Sequence, residues 1–277
     1  MGSIEILLRN SSNSYPSISK RHLRVLLAHL MKQPMEFLLA HPETLVPSDV
    51  AQQFLRQVEK LAQGMPLSRL LGKREFWGMD FELSPETLDP RPDSETLIEA
   101  VLKNRPDRRP PLNILDLGTG TGCLIVSLLK EYPNAQGLAV DQSLGALEMA
   151  KKNAEANGVS KRLKFHHSDW FKGVQGTFDI IISNPPYITN KDYETLDQTV
   201  QNYDPIKALV AGEEGLDCYK TIIPAAPMFL KKRGLLVLEI GYGECDSVQG
   251  LMKQSGFHNI QVYKDLGGIE RCLLGRK

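Results

Sequence analysis

Neither charge sign is in surplus: Lys plus Arg and Asp plus Glu each number 33 in 277 residues. Proteins whose affinity comes mainly from gripping nucleic-acid phosphates usually carry a basic excess, so direct nucleic-acid binding is not expected. Cysteine is sparse. Cys123, Cys218, Cys245 and Cys272 lie far apart, with no CxxC pair and no Cys/His cluster of zinc spacing, so they read as reduced core thiols and no metal is expected. No apolar stretch approaches the roughly 20 residues of a membrane span. The N-terminus has no cationic segment followed by an apolar run, and Ile6 stands where a myristoylation signal needs Ser or Thr. These absences predict a soluble, cytoplasmic, monomeric protein that does not engage a membrane. Internal repeats and low-complexity segments are also missing.

What is present is enough apolar material, 42% of the chain, for one large or two modest cores. Leu23, Leu26, Leu27, Leu30 and Met31 recur at helical spacing, as do Phe54, Leu55, Val58, Leu61 and Ala62. Residues 1–72 therefore predict a small helical domain, with Pro34, Pro42 and Pro47 punctuating its connections. Over residues 1–85 ten Lys or Arg face eight Asp or Glu, a balance that suits a protein-docking cap or a purely structural one. Residues 73–92 predict a hairpin and linker, because Glu75 to Leu83 is aromatic-rich with Gly78 at its middle. Asp93 or Ser94 is placed to cap the helix that follows, and Arg91 or Glu95 is a candidate to face a site.

Residues 93–277 alternate strand and helix patterns, which predicts an α/β domain with a doubly wound parallel sheet. Strands are expected over 114–117, 138–140, 163–167, 178–183, 235–240, 260–263 and 272–274, and helices over 124–130, 144–156, 217–230 and 247–254. Pro224 and Pro227 count against the third of these helices.

Two stretches carry chemistry. Ile180-Ile181-Ile182-Ser183 runs as a strand covered on both faces and stops at Asn184-Pro185-Pro186-Tyr187, since Pro185 cannot donate to a ladder. Pro185 keeps its carbonyl, so two acceptors, the Asn184 amide oxygen and the Pro185 C=O, stand near a flat ring, a set that suits a planar NH2 group. A plain turn would use the same residue types. The other stretch is Asn113-Ile114-Leu115-Asp116-Leu117, running into Gly118-Thr119-Gly120-Thr121-Gly122. Cys123 occupies the third-glycine place of the dinucleotide fingerprint, and no Gly-Lys-Ser/Thr follows, so neither a dinucleotide site nor a P-loop is indicated. Together the two stretches resemble the paired signatures of S-adenosylmethionine-dependent N-methyltransferases. Asp141, at the end of the next strand, is a candidate for both hydroxyls of a ribose, or a helix cap before Ser143. Asp169-Trp170 sets an acceptor beside a ring able to cover a purine, although Trp170 could also be core.

Over nearly its whole length the chain resembles the PrmC/HemK family, the protein-(glutamine-N5) methyltransferases that act on peptide chain release factors. The matching residues are the helical cap, Gly72 to Phe81, Pro90-Arg91-Pro92 with Glu95, Asp116 to Gly122, Asp141, Asp169-Trp170-Phe171, Asn184 to Tyr187, Gly212 to Asp217, Leu238-Glu239-Ile240-Gly241 and Glu270-Arg271. Asp89, where the family usually has an aliphatic residue, and Asp93-Ser94 depart from the pattern. The resemblance implies a Rossmann-like methyltransferase sheet with S-adenosyl-L-methionine on Gly118, Thr119, Gly120, Thr121, Gly122, Asp141, Trp170 and Asn184. The Gln of a release factor Gly-Gly-Gln loop would enter at Asn184, Pro185, Pro186 and Tyr187, with Asn184, Pro185 and Tyr187 catalytic, as a step in translation termination. Alternatives in the same chemistry are a ribosomal-protein glutamine methyltransferase and a nucleic-acid adenine-N6 methyltransferase. One outside it is a non-catalytic module that retains the cofactor fold.

Overall fold

The computed structural model describes residues 2–277. The chain divides into two compact units, the first running to Lys73 and including Gln198–Tyr203, the second comprising Arg74–Asp197 and Asp204–Lys277.

The first unit is helical: α1 (Ile4–Ser14), α2 (Lys20–Met31), α3 (Met35–Ala40), α4 (Ser48–Ala62) and α5 (Leu67–Leu71). Ser3 and Ser19 cap α1 and α2 through their side-chain oxygens, each satisfying a backbone N–H that the first helical turn leaves open. The expected stripes meet in its core, where Leu23, Leu26 and Leu27 are buried with Phe54 and Val58. Leu55 is instead 44% exposed, at the edge of the stripe on α4.

The chain continues into a hairpin, β1 (Lys73–Phe76) and β2 (Met79–Glu82), which from Arg74 onward belongs to the second unit. Its two turn residues, Trp77 and Gly78, have φ of 52° and 68°, the paired left-handed values of a type I′ turn. A Trp there is strained, and two bonds hold it: its N–H donates to Glu95 Oε1 at 2.7 Å and its indole Nε1–H to Glu131 Oε1 at 2.8 Å. Glu95 is thus spent on the hairpin.

A 3-10 turn over Pro92–Ser94 leads into α6 (Glu95–Asn104). Then follow β3 (Asn113–Leu117), α7 (Cys123–Glu131), β4 (Gln136–Asp141), α8 (Leu144–Ala156), β5 (Leu163–His167) and β6 (Phe178–Ser183). Beyond them lie α9 (Asn190–Thr195), α10 (Gln198–Tyr203, in the first unit), α11 (Asp217–Phe229), β7 (Leu230–Glu239), α12 (Cys245–Gln254), β8 (His258–Lys264) and β9 (Glu270–Arg276). Pro224 and Pro227 do not break α11. Pro224 lies on its exposed side, where water can take the carbonyl that the missing N–H leaves free.

The seven-stranded sheet has the order β5-β4-β3-β6-β7-β9-β8. Its first five strands are parallel, but β9 runs antiparallel to both β7 and β8, which corrects the expectation of parallel strands throughout. The cause is local. A short loop joins β8 to β9, closed by the Asp265 N–H on the Ile269 carbonyl at 2.9 Å, and strands joined that tightly must run antiparallel. Side chains alternate between two cores: Ile114, Ile180, Ile182, Leu235 and Val237 on the α6 side, Leu115, Leu117, Ile181, Leu236 and Leu238 on the α11 side. From β3 the strand order runs outward to β4 and β5 on one side and to β6 and β7 on the other, so the topological switch point falls between β3 and β6.

Candidate active site

Both chemical stretches end at that switch point. Leu117 pairs with Ser183, and the Ser183 hydroxyl donates to the Leu117 carbonyl at 2.7 Å, so Gly118 and Asn184 leave adjacent strands side by side. A cavity of about 620 Å³ opens there. Gly118, Thr119, Gly120, Thr121, Asp141, Trp170, Asn184 and Pro186 line it; Gly122, Pro185 and Tyr187 do not.

The glycine turn explains the first group. Gly118 and Gly120 have φ of 69° and 55°, and a Cβ on Gly120 would meet nothing within 4 Å, so backbone faces open space. A Cβ on Gly118 would come within 3.6 Å of the Trp170 ring, which therefore lies over the turn. Trp170 itself is held at φ 47°, a conformation that costs energy in a non-glycine residue and puts the indole at the cavity wall. Gly122 serves packing instead: it precedes α7, and a Cβ there would press within 3.2 Å of Ala150 on α8.

Asp141 accepts the Gly120 N–H and the Ser143 N–H, each at 2.9 Å, tying the glycine turn to the start of α8, but it is not the helix cap expected of it. Ser143 is the residue that caps α8. Burial pushes the Asp141 carboxyl up from its ordinary value, opposed by those backbone bonds. Behind the turn Asp116, fully buried, accepts the Thr119 hydroxyl at 2.6 Å and is pushed up to about 7 by desolvation. Its other oxygen, Oδ1, has no partner. Two thiols also line the cavity, but burial pushes Cys123 up to about 12 and Cys218 to about 11, so neither is a thiolate nucleophile at neutral pH.

Asn184 is part of a buried chain of polar groups absent from the sequence-based expectation. Its Nδ2 donates to Ser94 Oγ at 3.2 Å, and Ser94 Oγ donates to Glu239 Oε2 at 2.5 Å. On the other carboxylate oxygen, the Tyr187 hydroxyl donates to Glu239 Oε1 at 3.3 Å. The sheet builds this chain by period and register. Ile182 pairs with Val237 and Ser183 with Leu238, so one step further Asn184 comes opposite Glu239, both on the face that α6 covers. Ser94 stands at the start of α6, yet its hydroxyl makes no cap bond there, contrary to expectation, because it is turned to Glu239. Tyr187, held by that hydroxyl bond, does not line the cavity.

Of the two residues expected to face a site, Arg91 lines the cavity and Glu95 does not. Arg91 Nη2 donates to Asp204 Oδ2 at 2.6 Å, and Asp204 Oδ1 accepts the Asp89 N–H at 3.2 Å. The unusual Asp89 is buried and takes Arg74 Nε–H at 2.9 Å, so a charge replaces an aliphatic residue only with a partner supplied.

Residues 84–203 match the profile of the Methyltransferase small domain and residues 12–72 that of the PrmC N-terminal domain. A release factor glutamine methyltransferase of Rhodospirillum rubrum is 41% identical over 262 residues, 93% of this chain and 79% of that protein. Its counterpart in Agrobacterium fabrum is also 41% identical, over 92% of this chain and 89% of that protein. Among solved structures, the hMettl16 catalytic domain in complex with the MAT2A 3'UTR hairpin 1 superposes with a TM-score of 0.60 at 17% identity, over 90% of each chain, a likeness of fold alone. With relatives 41% identical over 79% and 89% of their own length, the chain belongs to the release factor glutamine methyltransferase family.

Proposed function

We propose that this protein transfers a methyl group from S-adenosyl-L-methionine to the side-chain amide nitrogen (N5) of the Gln in the Gly-Gly-Gln loop of peptide chain release factors. The observation that carries it is the orientation of Asn184. Because Nδ2 is committed to Ser94, the amide oxygen is left over as an acceptor, on a residue lining the cavity, beside a glycine turn with the form of a cofactor cradle.

The cavity suits the cofactor on its own terms. Its volume of about 620 Å³ fits a drug-sized ligand, the exposed backbone at Gly118 and Gly120 admits close approach, Asp141 offers carboxylate oxygens and Trp170 an apolar ring. Gly118, Thr119, Gly120, Thr121, Asp141 and Trp170 would hold it. When bound, S-adenosylmethionine supplies a methyl group already activated by its sulfonium, leaving S-adenosylhomocysteine and one proton from the amide.

The difficulty lies with the nucleophile, since an amide nitrogen shares its lone pair with the carbonyl. Asn184 Oδ1 would accept an amide hydrogen, aim the nitrogen and favour charge build-up on it, while Pro185, which does not line the cavity, fixes the backbone after Asn184. Tyr187, outside the cavity lining and bonded through its hydroxyl to Glu239, would act through that carboxylate. The helical first unit is the proposed docking domain for the release factor.

The test is incubation of the protein and labelled S-adenosylmethionine with a release factor carrying Gln or Ala in its Gly-Gly-Gln loop. Label is expected only on the Gln form. Label on both forms, or transfer to a ribosomal protein or nucleic acid in preference, would overturn the assignment.

A further inference from the structure

Asn184 can do what is proposed only if its carboxamide is held one way round. Flipped, it would present a donor to a substrate NH2 group and repel it. The two ends of an amide side chain have nearly the same shape, so only hydrogen-bond partners decide between them.

The partner of Nδ2 is a hydroxyl, which by itself decides nothing, since Ser94 Oγ can accept from Nδ2 or donate to Oδ1. The next group breaks the tie. An ionised Glu239 has no proton to give, so Ser94 must spend its own hydrogen on Oε2 and can only accept from Asn184. The Tyr187 hydroxyl meets the same condition on Oε1.

We infer that the buried Glu239 carboxylate, acting through Ser94, is the positioning group that sets the Asn184 carboxamide with its oxygen toward the substrate, and that protonating Glu239 releases it. This deepens the function proposed above and rests on the acceptor role of Asn184. A protonated Glu239 would donate to Ser94, freeing the Ser94 hydrogen for Asn184 Oδ1 and favouring the flipped amide.

The change falls in an accessible range. Burial pushes Glu239 up to about 7, opposed by the Ser94 bond and by Arg271 on β9. The groups facing it from each packed element are Ser94 and Asp93 in the 3-10 turn, Tyr187 after β6, Arg271 and Cys272 on β9, and Cys123 on α7. Tyr219 on α11 donates its hydroxyl to the Glu239 backbone carbonyl at 2.9 Å and also reaches Glu244. Burial raises the two tyrosines and two cysteines, so none of them loses a proton near neutrality. Asp116, also pushed up to about 7, and the carboxyls of Asp141 and Glu244, both raised by burial, are the competitors.

The experiment is a pH series of kcat from 5.5 to 8.5 on the full-length protein and its Glu239→Gln, Ser94→Ala and Asn184→Ala variants, with release factor and labelled S-adenosylmethionine. The wild type should lose kcat on the acid side with a midpoint near 7. Glu239→Gln, of the same shape but able to donate, should lower kcat by about 10²-fold with little change in KM, and its residual rate should lack the acid limb. Ser94→Ala should lower it similarly, and the double variant little further, as residues of one chain are non-additive. A flat wild-type profile, which needs no variant to fold, would overturn the inference. So would wild-type kcat in Glu239→Gln, or an acid limb that survives it, which would belong to another raised carboxyl such as Asp116 or Asp141. If Asn184→Ala itself retains turnover, the acceptor role proposed for Asn184 fails; if Asn184→Ala is inactive while Glu239→Gln behaves as wild type, only this inference does.

Discussion

Glu239→Gln should make the protein more stable, and by an amount that grows with pH. Glu239 is 1% exposed, in an otherwise apolar run of β7, and burial raises its carboxyl from 4.5 to about 7. For an acid, a raised folded-state value means that the native protein holds a proton the unfolded chain has already lost. Stability is therefore greatest below 4.5 and declines as pH climbs through 7. At about 1.4 kcal/mol per unit, a rise of this size is worth roughly 3 kcal/mol, incurred in full only above pH 7. Gln avoids the charge and still offers partners to Ser94 and Tyr187. Thermal melts of both proteins from pH 4.5 to 8 should show a gap that opens in favour of the variant, to roughly 6–12 °C at 2–4 °C per kcal/mol. A gap that stays constant over that range would show that Glu239 does not ionise between those limits, and the proposed release of Asn184 by protonation would fail.

Asn184→Ala should cut turnover by about 10²- to 10³-fold while changing S-adenosylmethionine affinity only modestly, measured by single-turnover methylation and by calorimetric titration. Asp141→Asn should weaken cofactor binding by roughly 10- to 100-fold, because one of its two backbone partners, Gly120 N–H or Ser143 N–H, would then face an NH2 group; wild-type affinity in equilibrium dialysis would count against the ribose role. Asp204→Ala should lower stability by about 1–3 kcal/mol, since it removes an acceptor from both Arg91 and the buried Asp89 N–H. An unchanged melting temperature would show that water replaces it.

Much of the architecture is written in apolar periodicity, and there the sequence is readable. The run Ile180 to Ile182 is buried on both faces because β6 is central, and the stripe of α2 forms the first unit's core as its spacing requires. The reversal of β9 was signalled too, by Gly267-Gly268 between two short strand patterns, but the regular βα alternation before it suggested another parallel strand. The membership of Gln198–Tyr203 in the first unit had no such signal, since no local pattern states which unit a short helix joins.

The site divides along a different line. Residues that touch the cavity through backbone shape, such as Gly118 and Gly120, betray themselves by type, because few other residues adopt those φ values. Residues that work by hydrogen-bond polarity do not. Ser94 looks like a helix cap and Glu239 like one acid among many; only sheet register brings them to Asn184. One clue did exist. A carboxylate in Leu235-Leu236-Val237-Leu238-Glu239-Ile240 sits on a strand with buried neighbours on both sides, where an unpaired charge is seldom tolerated. Such a charge persists in a central strand only if something offsets its desolvation, and the bonds around Glu239 offset it only in part, which is why its carboxyl remains raised. The remaining cost is what the proposed chemistry would need, since the group that weakens the fold when ionised is the same one that, when ionised, orients the amide acceptor.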